Sequence, residues 1–172
     1  MPARSGGRAK DPVRQARGRA RKQAEIAAGL ISADGLRYIF AGNVDAAIYV
    51  VAGRPRGVLE GMTIMKAGKA KLTSLGARLA THRRNGLGDV LLVVPYPATG
   101  PRDVDRDEIH AVKALREHPS AAALNKRDRA VLRDGYREAA TVPAPEVIRV
   151  VTAVAVALTE SDVNLDRDTN NL

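Results

Sequence analysis

Short blocks of apolar residues separated by turn residues indicate a chain that mixes strands and helices. Two runs rich in β-branched and aromatic residues, at 35–42 and 46–53, flank the turn sequence GNVD and predict an antiparallel hairpin. A third strand is predicted around 62–67. The continuous apolar run DVLLVVPYP at 89–97 ends in prolines and is typical of a buried strand.

Helical spacing appears after the third predicted strand. In LTSLGARLATHRRNG (72–86) the leucines fall on one stripe, Thr73 or Ser74 is a suitable cap, and Asn85 followed by glycine predicts the end. Three further helices are predicted over 108–118, 125–140 and 145–160. We therefore expect an α+β fold, with a small antiparallel sheet of three to four strands flanked by helices.

Three segments are predicted along the chain. Residues 1–23 form a disordered basic arm, 24–142 form the α+β domain, and 143–172 form a C-terminal helix with a polar tail. The length of 172 residues suits one domain with a core of ordinary size. Only 3% of the residues are aromatic, so aliphatic side chains must build that core.

Charge changes the functional expectation more than any other property of the composition. The formal net charge is +9, which favours polyanionic partners, and nucleic acid first among them. The absence of cysteine excludes disulfides and thiolate metal sites. No apolar run reaches the roughly 20 residues of a membrane span, and the N-terminus has no apolar signal-peptide core. We expect a cytoplasmic protein without a membrane partner.

Most of the positive charge lies in the N-terminal segment. Residues 1–23 hold eight Lys or Arg against the single Asp11, with almost no apolar side chain, so the free segment is predicted to be disordered. We interpret the segment as an arm that binds nucleic acid, DNA rather than RNA. The alternative is a tail that only increases solubility. The residues we assign to the arm are Arg14, Arg17, Arg19, Arg21 and Lys22.

A second basic feature, KAGKAK at 66–71, stands directly before the helix at 72–86. We interpret it as a polar turn. Arg78 and His82 follow one helical turn apart, so both project from the same side of that helix. The segment is either a site for phosphate chemistry or a basic turn beside the solvent-exposed face of an amphipathic helix.

Two short motifs follow each other along the chain: Ile48 followed by Tyr49, and the KAG sequence at 66–68. In this order they resemble the two half-motifs of the GIY-YIG nuclease superfamily, of which a phage-associated branch typically has KIG at the second. The stretch 68–79 is similar to the corresponding part of the nuclease domain of the bacterial excision-repair endonuclease. The resemblance covers about 44–127.

The resemblance implies hydrolysis of phosphodiester bonds in nucleic acid with Mg²⁺ or Mn²⁺. Arg78 would bind the cleaved phosphate, since a guanidinium makes planar bidentate contacts that lysine copies poorly. Tyr49 would orient or activate the attacking water, and His82 would act as a base or as a hydrogen-bond donor. Glu108 matches the metal-binding carboxylate, with Glu117, Asp107 and Asp105 as rivals.

Four further positions complete the predicted site. Lys66 stands where many relatives have a tyrosine, and Gly68 would let substrate approach the backbone closely. Lys69 would bind phosphate, and Asn125 matches a later position of the family. Asn125 could equally cap the helix that begins after it.

The chain departs from the family pattern at two positions. Lys66 replaces the second tyrosine, and Ala47 replaces the first glycine, so the protein could be a slow nuclease or an inactive DNA-binding relative. Read without the family, Tyr49 would be a packing residue. The opposing hypothesis is a non-catalytic nucleic-acid-binding accessory protein of phage or plasmid type, which forms a homodimer through 145–160.

Overall fold

The computed structural model describes only part of the chain, namely residues 30–33, 36–39, 44–97, 102–132 and 135–169. The predicted arm at 1–23 lies outside the described residues, and so do residues 24–29, 34–35 and 40–43. The strands are β1 (Leu30–Ala33), β2 (Leu36–Ile39), β3 (Val44–Gly53), β4 (Met62–Lys71), β5 (Asp89–Pro97) and β6 (Ala139–Pro143). The helices are α1 (Leu72–Arg84), α2 (Val104–Glu117), α3 (Lys126–Leu132) and α4 (Val147–Thr169).

The main sheet has four strands in the order β5-β3-β4-β6, and every neighbouring pair is antiparallel. Helices flank this sheet, which confirms the predicted α+β class. The predicted strand at 89–97 is confirmed as β5, but its predicted burial is wrong, because β5 is an edge strand and most of its residues are only partly buried. The predicted helix at 72–86 is confirmed as α1, with Leu72, Leu75 and Leu79 buried.

The predicted hairpin between 35–42 and 46–53 is wrong. β2 pairs with β1 instead, through Leu36 opposite Ala33, in a separate two-stranded sheet. Both edges of β3 are occupied by the longer strands β4 and β5. Turn residues between two apolar runs are therefore compatible with strands that belong to different sheets.

β3 is one of the two interior strands and is apolar on both of its faces. Tyr49 and Val51 lie in a core with the leucines of α1. Ile48 and Val50 lie in a second core with Ala111 of α2 and with residues of α4. Because side chains alternate along a strand, α1 covers one face of the sheet, and α2 and α4 cover the other.

The KAGKAK segment is the C-terminal half of β4, so the predicted turn at 66–71 is wrong. Lysines stand on both faces of this strand, with Lys66, Gly68 and Ala70 on one and Ala67, Lys69 and Lys71 on the other, so the segment lacks the period of two that would mark a strand. The helix at 72–86 begins directly after Lys71. Its first turn has no side-chain cap, so the predicted capping roles of Thr73 and Ser74 are also wrong; Ser74 Oγ instead donates to the Lys71 carbonyl at 3.1 Å.

The C-terminal elements correct two further boundaries. The helix predicted over 125–140 is only α3, and β6 follows it as the fourth strand of the sheet. The helix predicted over 108–118 begins earlier, because Asp103 accepts hydrogen bonds from the backbone N–H groups of Asp105 and Arg106.

α4 contributes one face to the core and presents the other to solvent. Val150, Val154 and Leu158 are buried, whereas Ile148 and Val156 are exposed. The exposed pair lies within the segment for which a homodimer was predicted, and the dimer stays a prediction. Within the part of the chain that the structure describes, no helix is both long enough and apolar enough to cross a bilayer.

Candidate functional site

Tyr49 and His82 form a buried hydrogen-bonded pair between the sheet and α1. The Tyr49 hydroxyl lies 2.9 Å from His82 Nε2, and the two ring centroids are 5.4 Å apart. Tyr49 is 1% exposed and His82 is 7% exposed. Of the two residues one helical turn apart on α1, His82 is buried and Arg78 is exposed, yet the Arg78 guanidinium lies close enough to act on the Tyr49 hydroxyl.

Gly68 makes room for the Tyr49 side chain. The two residues are directly opposite each other on β3 and β4. A Cβ atom on Gly68 would lie 2.9 Å from the Tyr49 hydroxyl oxygen and 3.1 Å from Cζ, closer than real Cβ contacts allow. The glycine is thus explained by the tyrosine across the strand, and its predicted contact with substrate stays a prediction.

Substitution of Gly68 by alanine should therefore push the Tyr49 ring away from His82. We expect a loss of about 1–3 kcal/mol in the free energy of unfolding, because the ring is enclosed and cannot move without strain. Urea denaturation measures this loss. The matched control is Gly88→Ala, since a Cβ on Gly88 meets only Arg83 Cγ at an ordinary 3.7 Å. Equal stability of the two variants would contradict the proposed packing role of Gly68.

Burial and nearby charges keep both members of the pair neutral at pH 7. Burial raises the pKa of Tyr49 to about 12; the Arg78 guanidinium opposes this rise, and the carboxylates of Glu138 and Glu108 add to it. Burial lowers the pKa of His82 to about 4, and the positive charges of Lys66 and Arg78 lower it further. His82 is therefore neutral in this site, so in one of its two tautomers Nε2 can accept the proton of the Tyr49 hydroxyl.

Lys66 is a buried cation on the same face of the sheet as Tyr49. It is 5% exposed, and its ammonium lies 3.2 Å from Glu138 Oε2. The ammonium also packs against Gly135, where a Cβ atom would overlap Nζ and where the backbone has a φ of 71°. Lys66 is thus held by an ion pair and by a glycine that leaves space for it.

Glu138 is a residue of the site that the sequence did not reveal. It lies in the short 3₁₀ turn before β6, far along the chain from Lys66. Its charge acts on Tyr49 as well as on Lys66. Had 139–143 been predicted as a strand, Glu138 would have been a candidate. It directly precedes Ala139, which pairs with Lys66 in the sheet.

Glu108 lies at the open edge of β4. β6 pairs with β4 only as far as Lys66, and the next outward N–H group, that of Lys69, donates to Glu108 Oε1 at 3.0 Å. The Lys69 ammonium lies 2.8 Å from Glu108 Oε2 and also pairs with Asp105. These two contacts raise the pKa of Lys69, with the Asp105 hydrogen bond as the larger cause. Predicted phosphate binding by Lys69 stays a prediction, since carboxylates already balance its charge.

The predicted metal-binding role of Glu108 stays a prediction. Within the described residues, no three His, Cys, Asp or Glu side chains are grouped so that they could hold a metal ion. A carboxylate offers about four lone-pair positions, so Glu108 retains capacity beyond its two contacts with Lys69. Mg²⁺ often uses one carboxylate and completes its shell with water and substrate oxygens. The Lys69 ammonium would then move toward Asp105, its second partner.

Asn125 lies at the start of α3, where its side chain is an N-terminal cap. Its Oδ1 accepts from the backbone N–H of Asp128 at 2.9 Å. The capping alternative is therefore confirmed. The acidic rivals of Glu108 also have structural contacts: Asp107 is buried and accepts from the Tyr96 hydroxyl at 2.7 Å, and Asp105 pairs with Lys69.

The predicted site residues thus divide into two groups that meet at the edge of β4. Tyr49, Lys66, Gly68 and His82 lie on the α1 face, and Arg78 acts electrostatically on Tyr49 and His82 from that helix. Lys69 and Glu108 lie on the α2 side, yet the Glu108 charge still acts on Tyr49. No family model matches this chain, and neither the search of curated proteins nor that of solved structures gave a match.

Proposed function

We propose that this protein hydrolyses phosphodiester bonds in nucleic acid, DNA rather than RNA, as a GIY-YIG-like endonuclease that uses Mg²⁺ or Mn²⁺. One observation carries the proposal: the Tyr49 hydroxyl contacts a neutral histidine and lies within the field of both Arg78 and Glu108. A proton acceptor, a phosphate-binding cation and a carboxylate are the groups that this reaction requires.

Each group has a role that follows from its surroundings. The exposed guanidinium of Arg78 binds the phosphate and stabilises the charge that develops on it. The Tyr49 oxygen takes a proton from the attacking water while its own proton passes to His82 Nε2, 2.9 Å away. Hydroxide then attacks phosphorus, the P–O bond to the leaving oxygen breaks, and that oxygen takes up a proton from water while His82 gives back the proton that it accepted. Glu108 would hold the metal ion, whose chemistry is to polarise the phosphate.

The second candidate function is nucleic-acid binding without catalysis. It is favoured by the 1% exposure of Tyr49 and by the two contacts that Lys69 makes with the Glu108 carboxylate. Buried and internally paired groups are what a binding protein with a stable core would also contain.

Incubation with supercoiled plasmid distinguishes the two functions. The nuclease should convert it to nicked circles in Mg²⁺ or Mn²⁺ and leave it intact in EDTA. A preparation that retards the plasmid in a gel but never nicks it, in any of these conditions, would replace the proposed function with the binding function.

The basic arm should supply most of the affinity that depends on salt. Deletion of 1–23 removes eight Lys or Arg, and each lost phosphate contact should flatten the slope of log affinity against log salt by about 0.9. Filter binding or anisotropy with a short duplex at several salt concentrations measures the slope. An unchanged slope would show that the arm does not contact nucleic acid.

A further inference from the structure

A cleft of about 560 Å³ lies between α2 and the chain that leads into β6. Its apolar lining comes from Ile109, Val112, Ala123 and Ala140. Ile109 is 67% exposed, so a large aliphatic side chain stands in solvent at this cleft. A volume of this size is in the range of about 300–1,000 Å³ that is typical of small-ligand sites, and it is too small for a duplex.

The cleft adjoins the candidate site, because two of its lining residues, Glu108 and Glu138, contact Lys69 and Lys66 of that site. Both carboxylates already have a cationic partner on β4. Glu108 contacts the Lys69 ammonium at 2.8 Å, and Glu138 contacts the Lys66 ammonium at 3.2 Å. Their negative charge is therefore largely balanced from the side of the sheet.

The remaining charged groups of the cleft leave an excess of positive charge. Lys113, Arg116 and Arg137 line it, and only Glu117 opposes them. Within the described residues, none of these three cations takes part in an ion pair. An anionic group bound in the cleft could thus form ion pairs with cations that have no carboxylate partner among the described residues.

We propose that this cleft binds an unpaired nucleotide of a single-stranded segment that adjoins the cleaved phosphodiester, an inference that rests on the proposed nuclease function. The base lies against Ile109 and Val112, and its phosphates contact Lys113, Arg116 and Arg137. An unpaired base exposes the apolar faces that such a lining needs, whereas in a duplex those faces are stacked. The substrate is therefore nucleic acid with a single-stranded arm or gap.

Fluorescence anisotropy in EDTA tests the inference without cleavage. The probes are a blunt DNA duplex, the same duplex with a single-stranded DNA arm, and the same duplex with an RNA arm. The wild-type protein should bind an armed duplex at least about fivefold more tightly than the blunt one, because the base buries apolar surface against Ile109 and Val112. The two arms show whether the nucleotide is deoxyribo or ribo.

Two variants test the cleft itself. Ala123→Trp fills it and Arg116→Ala removes a phosphate contact, so both should lose the preference for the arm and keep the affinity for the blunt duplex. The matched controls are Ala122→Trp, at the exposed neighbouring residue that does not line the cleft, and Arg149→Ala, at an exposed cation on α4. Both controls should keep the preference.

Equal affinity of the wild-type protein for blunt and armed duplexes would overturn the inference, and so would an arm preference that survives in Ala123→Trp. Plasmid nicking in Mg²⁺ is scored separately. Nicking without an arm preference would leave the proposed function standing without this cleft as a subsite. An arm preference without nicking would contradict the nuclease and support the cleft as a binding site for single strands.

Discussion

Replacement of Arg78 by alanine should lower the rate of plasmid nicking by about 100-fold or more, as expected for one preorganised group that stabilises developing charge. The side chain is exposed, so the free energy of unfolding should change by no more than about 0.5 kcal/mol. Initial rates in Mg²⁺ and urea denaturation of the same preparations measure the two effects.

The matched control for Arg78 is Arg84→Ala. Arg84 is an exposed arginine on the same helix, and its guanidinium contacts only Thr81 in the described chain, at 2.9 Å. It should nick at the wild-type rate. Glu108→Gln should be as slow as Arg78→Ala, because it removes the charge that would hold the metal ion. If Arg78→Ala nicked plasmid at the same rate as Arg84→Ala, the proposed phosphate-binding role of Arg78 would be contradicted.

Acidification from pH 7 to pH 4 should destabilise the protein through His82. The pKa of this buried histidine is about 4 in the fold, against an ordinary 6.5 in the unfolded chain, so between these values the unfolded chain binds more protons. The contribution is fully present above pH 6.5 and is lost as the pH falls toward 4. A pKa shift of this size corresponds to at most about 3 kcal/mol in the free energy of unfolding.

The comparison of two glutamine variants isolates this contribution. His82→Gln should have a lower free energy of unfolding than wild type at pH 7. This difference, the gap between the two proteins, should narrow as the pH falls, because the variant has no imidazole to protonate. Urea denaturation at pH 7, 6 and 5 measures the gap. The matched control is His110→Gln, at a partly exposed position of α2, and it should follow the stability of wild type at all three pH values. A gap between wild type and His82→Gln that is the same at all three pH values would contradict a buried neutral His82.

The helix α1 and the strand β5 could be predicted from the sequence because their patterns are local. A leucine stripe and a proline-terminated apolar run need no knowledge of distant partners. β4 was only half predicted, because Lys66 and Lys69 give a strand the composition of a turn. The fold tolerates them since Lys66 has Glu138 beside it and Lys69 has Glu108, neither of which is near in sequence.

The contacts within the candidate site depended on the same long-range information. Tyr49, Arg78 and His82 were named from motif order and helical spacing, but spacing could not show that His82 would be buried while Arg78 stayed exposed. The reason for Gly68 was visible only once the register had placed it opposite Tyr49. Glu138 was missed because β6 is short and follows residues with a helical composition.

The most direct test of the proposed site is the nicking rate of Tyr49→Phe in Mg²⁺, beside wild type. Phenylalanine keeps the ring that packs between Gly68 and α1 and removes only the hydroxyl that contacts His82. We predict a folded variant whose nicking is slower by about 100-fold, within the range for loss of a positioned acid–base group. A folded Tyr49→Phe that nicks as fast as wild type would contradict the account and leave Tyr49 as a packing residue.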